Sequence, residues 1–91
     1  MLKFYDAYKS FSELYNTVLR GNEIEFVCNS KHYYILPHWG ENNLADGACF
    51  GEACADNNVV CMTEEELYNA KAGDTVLGEI IPRVEITWMN F

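Results

Sequence analysis

The chain has 91 residues, 49 % apolar and 14 % aromatic, enough for one small domain over residues 1–91 and too few for a two-lobed enzyme with a cleft between lobes. Six basic groups against fourteen acidic ones leave a net charge of -8, which excludes the basic face that a phosphate backbone or an anionic lipid requires. No run reaches the roughly 18–20 apolar residues that span a bilayer. Met1–Asp6 holds no signal-peptide core, so the expected location is the cytoplasm.

In chain order, Ser10-Phe11-Ser12-Glu13 opens the first clear element as a capping box, the Ser10 hydroxyl accepting a backbone N–H while Glu13 reaches back. Phe11, Leu14, Tyr15, Val18 and Leu19 follow as one apolar helical stripe, with Arg20 in the last turn and Gly21 just past the end. Glu23–Cys28 alternates, placing Ile24, Phe26 and Cys28 on one face and the glutamates on the other. Asn29-Ser30-Lys31 reads as a three-residue loop to a second strand, His32–Leu36, which Pro37 ends or confines to an edge.

Further on, His38–Asn43 reads as a loop, and Asp46-Gly47 and Asn57-Asn58 as turns. Ala48–Phe50 and Val59–Met62 are short strands between them. Thr63-Glu64-Glu65-Glu66 is a second capping box, its acids placed where the helix dipole favours them; this helix runs on to Ala70 and ends at Gly73. Asp74 caps a further helix over Thr75–Ile81, stopped by Pro82, and Val84–Trp88 alternates as a closing strand. The fold class expected is α+β. A small antiparallel sheet, hairpin plus C-terminal strand, packs against the N-terminal helix, with two short helices in the C-terminal half.

The stretches FSELYNTVLRGNEIEFVCNSKHYYIL and AGDTVLGEIIPRVEI resemble a group of small, largely uncharacterised proteins of Gram-positive bacteria and their phages. The likeness covers the first helix, the hairpin and the C-terminal third, and leaves out residues 38–62. It implies a small α+β domain of bacterial or mobile-element origin and transfers no site residue. In that setting small acidic proteins, anti-CRISPR and other anti-defence inhibitors among them, occupy nucleic-acid sites on their targets by imitating phosphate spacing.

From His32 to Ala70 the chain carries seven acids (Glu41, Asp46, Glu52, Asp56, Glu64, Glu65, Glu66) and no Lys or Arg. Such a run is either a solvated face that aids solubility or a patch that steers the chain to a basic partner. Trp39, Phe50 and Tyr68 fall in the same stretch as candidate anchors, because interface hot spots favour aromatics; each fits a core position equally well.

Four cysteines supply a second candidate. Cys49-x4-Cys54-x6-Cys61, with Cys28, His32 and His38, offers soft ligands for a tetrahedral Zn²⁺, yet no C-x2-C occurs and Cys49–Cys54 or Cys54–Cys61 suits a disulfide on loop length. Free, reduced thiols without metal or cofactor are the expectation. Gly47-Ala48-Cys49-Phe50-Gly51 is the nearest approach to an exposed nucleophile, and no elbow, phosphate-cradling glycine loop or EF-hand pattern is present, so no enzyme is expected. The sequence thus points to an acidic protein-binding module, a phage or mobile-element inhibitor of a protein with a basic, nucleic-acid-binding surface. It does not itself bind nucleic acid or membrane. The alternatives are a cysteine-based metal-stabilised or redox-sensing domain, and an immunity or housekeeping protein with another partner.

Overall fold

The computed structural model describes residues 2–89. Strand β1 (Leu2–Lys3) leads directly into the short helix α1 (Phe4–Ala7), which Asp6 closes by accepting the Lys3 backbone N–H at 3.2 Å. Helix α2 (Phe11–Leu19) starts where the capping box places it: the Ser10 hydroxyl accepts the Glu13 N–H at 3.1 Å. Gly21 follows its last turn with φ +100, a conformation that costs a glycine little.

Strands β2 (Ile24–Cys28) and β3 (Lys31–Trp39) form the hairpin, β4 (Ala45–Glu52) returns along β3, and β5 (Val59–Cys61) adds the outer strand. Helix α3 (Glu64–Tyr68) follows, capped by the Thr63 hydroxyl, which accepts the Glu66 N–H at 3.1 Å. Then come the two-residue strands β6 (Lys71–Ala72) and β7 (Thr75–Val76), helix α4 (Leu77–Ile80), a 3-10 turn over Ile81–Arg83, and β8 (Glu85–Met89).

Six strands share one sheet in the order β1-β8-β2-β3-β4-β5, all pairs antiparallel, and β6 pairs only with β7. The fold is α+β, as expected. Alternation along the strands sends Ile24, Phe26, Tyr33, Ile35, Ala48, Phe50, Cys61 and Ile86 into the core, where Leu14 and Val18 of α2 meet them. Helix α2 covers the hairpin's inner face chiefly over its second strand, β3, and over β4 beside it. Phe26, Tyr33 and Phe50 stack as three neighbouring rings, with centroids 5.7 to 6.3 Å apart. The reverse face carries Glu25, Val27, Tyr34, Leu36, Cys49, Val60 and Trp88, none of them buried.

Several expectations are corrected. The hairpin turn has two residues, because Cys28 pairs with Lys31; Asn29 and Ser30 both take positive φ, the form that matches the right-handed strand twist. Pro37 neither ends β3 nor lies on an edge strand. It sits beyond Ile24↔Ile35, the last pair with β2, so its missing N–H removes no bond from that ladder. Asp46-Gly47 is not a turn but part of β4: His38 pairs with Gly47 and Trp39 with Ala45, leaving Asp46 as a bulge. Gly73-Asp74 turns the β6–β7 hairpin instead of ending one helix and capping the next, and Pro82 opens the 3-10 turn rather than stopping a helix. Phe50, a candidate anchor, is fully buried. Strand β1 and helix α1 arise where no element was expected, β6 takes the stretch in which the helix was to run out to Gly73, and β7 replaces the first residues of the helix expected over Thr75–Ile81, which is reduced to Leu77–Ile80.

Candidate protein interface

The strand register divides the acid run. Glu41 lies in the β3–β4 connection and Asp46 at the start of β4, whereas Glu52 ends β4 and Asp56 lies in the loop that follows. Asp46 and Glu52 are six residues apart on one strand, about 20 Å at the usual strand rise. The sheet therefore has two acidic ends.

Helix α3 joins the first of these ends. Cys61 pairs with Ala48 and a Cβ at Gly47 would lie 3.1 Å from the Met62 Cα, so the chain enters α3 beside the start of β4 and Asp46. Burial, then Cys61, Glu66, Glu64 and Asp46, raises the Tyr15 hydroxyl above its ordinary value. The three glutamates are not equivalent. Glu64 accepts the Ser12 hydroxyl at 2.7 Å and ties α3 to α2, while Glu66 accepts the N–H of Met62, the residue before the Thr63 cap, at 3.1 Å, so the reciprocal half of the expected capping box falls one residue early. Glu65 is exposed and Glu41 likewise. Asp46 holds the His38 ring nitrogen at 2.7 Å across the bulge.

The aromatic candidates also separate. Trp39 is 55 % exposed at the β3–β4 end, its ring edge resting near Gly21. Tyr68 shows one edge to solvent, yet its ring meets Phe11 edge-on at 5.1 Å and lies over Gly78, which makes it the joint between α2, α3 and α4. Leu44, at 68 % the most exposed of the large apolar residues described, was not anticipated. The signal was present, an apolar residue between two asparagines and Ala45-Asp46 in an otherwise polar connection. Trp39 and Leu44 thus project at the same end as Glu41, Asp46 and the start of α3.

The cysteines are four free thiols, and among the described residues no three metal-ligating side chains come together. Cys28 sits by the hairpin turn and Cys61 is buried opposite Ala48 toward the other end of the sheet; Cys49 is on the reverse face and Cys54 is exposed. Burial, then Glu66 and Cys49, pushes the Cys61 thiol up from 9.0 to about 11. Up to pH 9 the folded and unfolded chains both keep this proton. Between pH 9 and about 11 only the folded chain keeps it, so stability is lost across that window. The melting temperature should fall over this range, and less steeply in Cys61→Ala; identical slopes in the two proteins would assign the loss to other groups.

Among the described residues no pocket opens, and no helix is long and apolar enough to cross a membrane. The chain matches no known family model, no curated protein and no solved structure.

Proposed function

We propose that this chain is a small acidic protein-binding module, an inhibitor that lays the β3–β4 tip and the first turn of α3 on a basic, nucleic-acid-binding surface of its target. One observation carries the reading: Trp39 and Leu44, 55 % and 68 % exposed, lie at the same end of the sheet as the exposed Glu41 and the turn of α3 that bears the exposed Glu65. Large apolar side chains anchor an interface, and the carboxylates around them steer a cationic partner into place. Glu52 and Asp56, at the far end, belong to the general negative field that raises encounter rates.

The target is first captured from a bacterial lysate at low salt and released at high salt. Association kinetics are then measured at two salt concentrations for the parent and for Glu41→Lys/Glu65→Lys. These two glutamates are chosen because Glu64 and Glu66 hold structural bonds. The double reversal should slow association roughly tenfold with little change in dissociation, and added salt should slow the parent. Salt-independent association, unaltered by the reversal, would leave the acids as a solvated face and end this reading.

A further inference from the structure

The residues of the β3–β4 tip stand clear of the core. Glu41, Asn42, Asn43 and Leu44 are all exposed, and Asn42 and Asn43 take φ of +61 and +59. A connection of this kind samples many conformations unless local bonds select one. Two backbone bonds close it: the Gly40 N–H donates to the Leu44 carbonyl at 2.8 Å, and the Leu44 N–H donates to the Glu41 carbonyl at 3.2 Å.

A third tie comes from the bulge. Asp46 is the extra residue between the pairs His38↔Gly47 and Trp39↔Ala45, and its side chain reaches across to β3. Its Oδ1 accepts the His38 Nδ1–H at 2.7 Å, while a Cβ added at Gly40 would lie 2.5 Å from its Oδ2 and 2.8 Å from its Cγ. The carboxylate therefore rests on the bare backbone of Gly40, next to Trp39 and at the mouth of the tip. Gly40 is extended, with φ -94, so the glycine is needed there for space and not for a left-handed backbone.

We propose that Asp46 is a positioning residue whose carboxylate bolts the tip to β3, so that Trp39 and Leu44 meet a partner in one pre-formed arrangement. This deepens the reading of the tip as a partner-binding edge and rests on it for what the tip meets. An exposed ion pair adds little to global stability, so the effect is local. Closing the bulge removes in advance the conformations that the tip would otherwise lose on binding, and a pre-formed edge binds more tightly than one that orders on contact. Asp46 thereby differs from Glu41 and Glu65: it shapes the edge, and they steer the partner.

The test is amide hydrogen exchange, read by NMR on the full chain, for Asp46→Ala, His38→Phe and the double variant. Each single change should speed exchange of the Gly40 N–H about tenfold, while the amides around Ile35 and Phe50 exchange as in the parent. Because both side chains act through one tie, the double variant should be no faster than either single one. Gly40→Ala, which puts a methyl in the place of the carboxylate, should likewise speed exchange of the Leu44 N–H. Unchanged Gly40 exchange in Asp46→Ala, effects that multiply in the double variant, or an equal acceleration in the core strands would each overturn the bolt. His38→Phe also tests the part played in binding, since it breaks the tie and keeps every carboxylate. Its affinity for the target captured from the lysate should fall about fivefold, with the salt dependence of association intact. A loosened tip with unaltered affinity would overturn that part. Salt-independent association of the parent would remove the basic-partner reading and leave the exchange result standing.

Discussion

Phe50→Ala should melt far below the parent. The ring is fully buried and meets both members of the Phe26–Tyr33 pair, 6.3 Å from Phe26 at an interplanar angle of 2° and 5.8 Å from Tyr33 at 22°. Truncating a buried Phe costs about 3–5 kcal/mol in lost transfer energy and residual cavity, against a total stability of about 5–15 kcal/mol for a domain. Because Phe26 and Tyr33 lose a stacking partner on the same side, little collapse is available to refill the space. At about 4–8 °C per kcal/mol for a domain of this size, the melting temperature should drop by more than about 10 °C. Val60→Ala, on the exposed outer strand, should change stability by no more than about 0.5 kcal/mol. Circular-dichroism melts of the two variants decide it; a Phe50→Ala shift no larger than that of Val60→Ala would refute the stacked core.

Gly47→Ala should be nearly as damaging for the opposite reason. A Cβ there would lie 2.3 Å from the Cys61 carbonyl oxygen and 3.1 Å from the Met62 Cα, both backbone atoms. No rotamer change relieves such a contact, so β5 must move away from β4. Overpacking costs typically about 1–3 kcal/mol where side chains can shift, and this site belongs at or above the top of that range. Gly73→Ala is the informative comparison. Its φ is +61 and its nearest neighbour is Asn57 Nδ2 at 3.5 Å, so the added methyl meets only a conformational cost of about 1–2 kcal/mol. Hydrogen exchange should locate the first lesion in Val59–Cys61. Equal destabilisation by the two substitutions would contradict the close approach of β4 and β5.

The two strongest elements were legible because local chemistry and tertiary packing agree in them. Ser10 with Glu13 and the 3.6-residue stripe of α2 specify a helix without reference to the rest of the chain, and the same holds for Thr63 with Glu66. The alternation of β2 likewise places Ile24 and Phe26 inward whatever lies beside them. Between residues 38 and 52 only Ala48–Phe50 was legible, as the middle of what the structure shows to be a strand from Ala45 to Glu52. Asp46-Gly47 has the composition of a turn, and only the pairing of His38 with Gly47 makes it a bulge inside a strand. Pro37 is read locally as a strand end, and only the shortness of β2 on that side admits it to an interior strand. The same limit governs the candidate interface. Sequence identifies seven acids in a run, but the strand register decides that Glu41 and Asp46 lie at one end and Glu52 and Asp56 at the other. The place of β8 in the sheet depends on its long-range pairing with β2, which no local pattern reveals.

That pairing sets an order of events during synthesis. Strands β2 to β5 form a meander whose partners follow one another closely, so their pairing closes only short loops and does not wait for β8. The β2 edge facing away from β3 stays open until Glu85–Met89 arrives, about sixty residues after Ile24–Cys28, and β1 closes only onto β8. Nascent chains stalled before Glu85 therefore expose the unpaired backbone of Ile24–Cys28, with Ile24, Phe26 and Cys28 along it, to other unfinished chains. Whatever delays the pairing of Glu85–Met89 with Ile24–Cys28 lengthens the time for which that edge is open to other chains, independently of the stability of the finished fold.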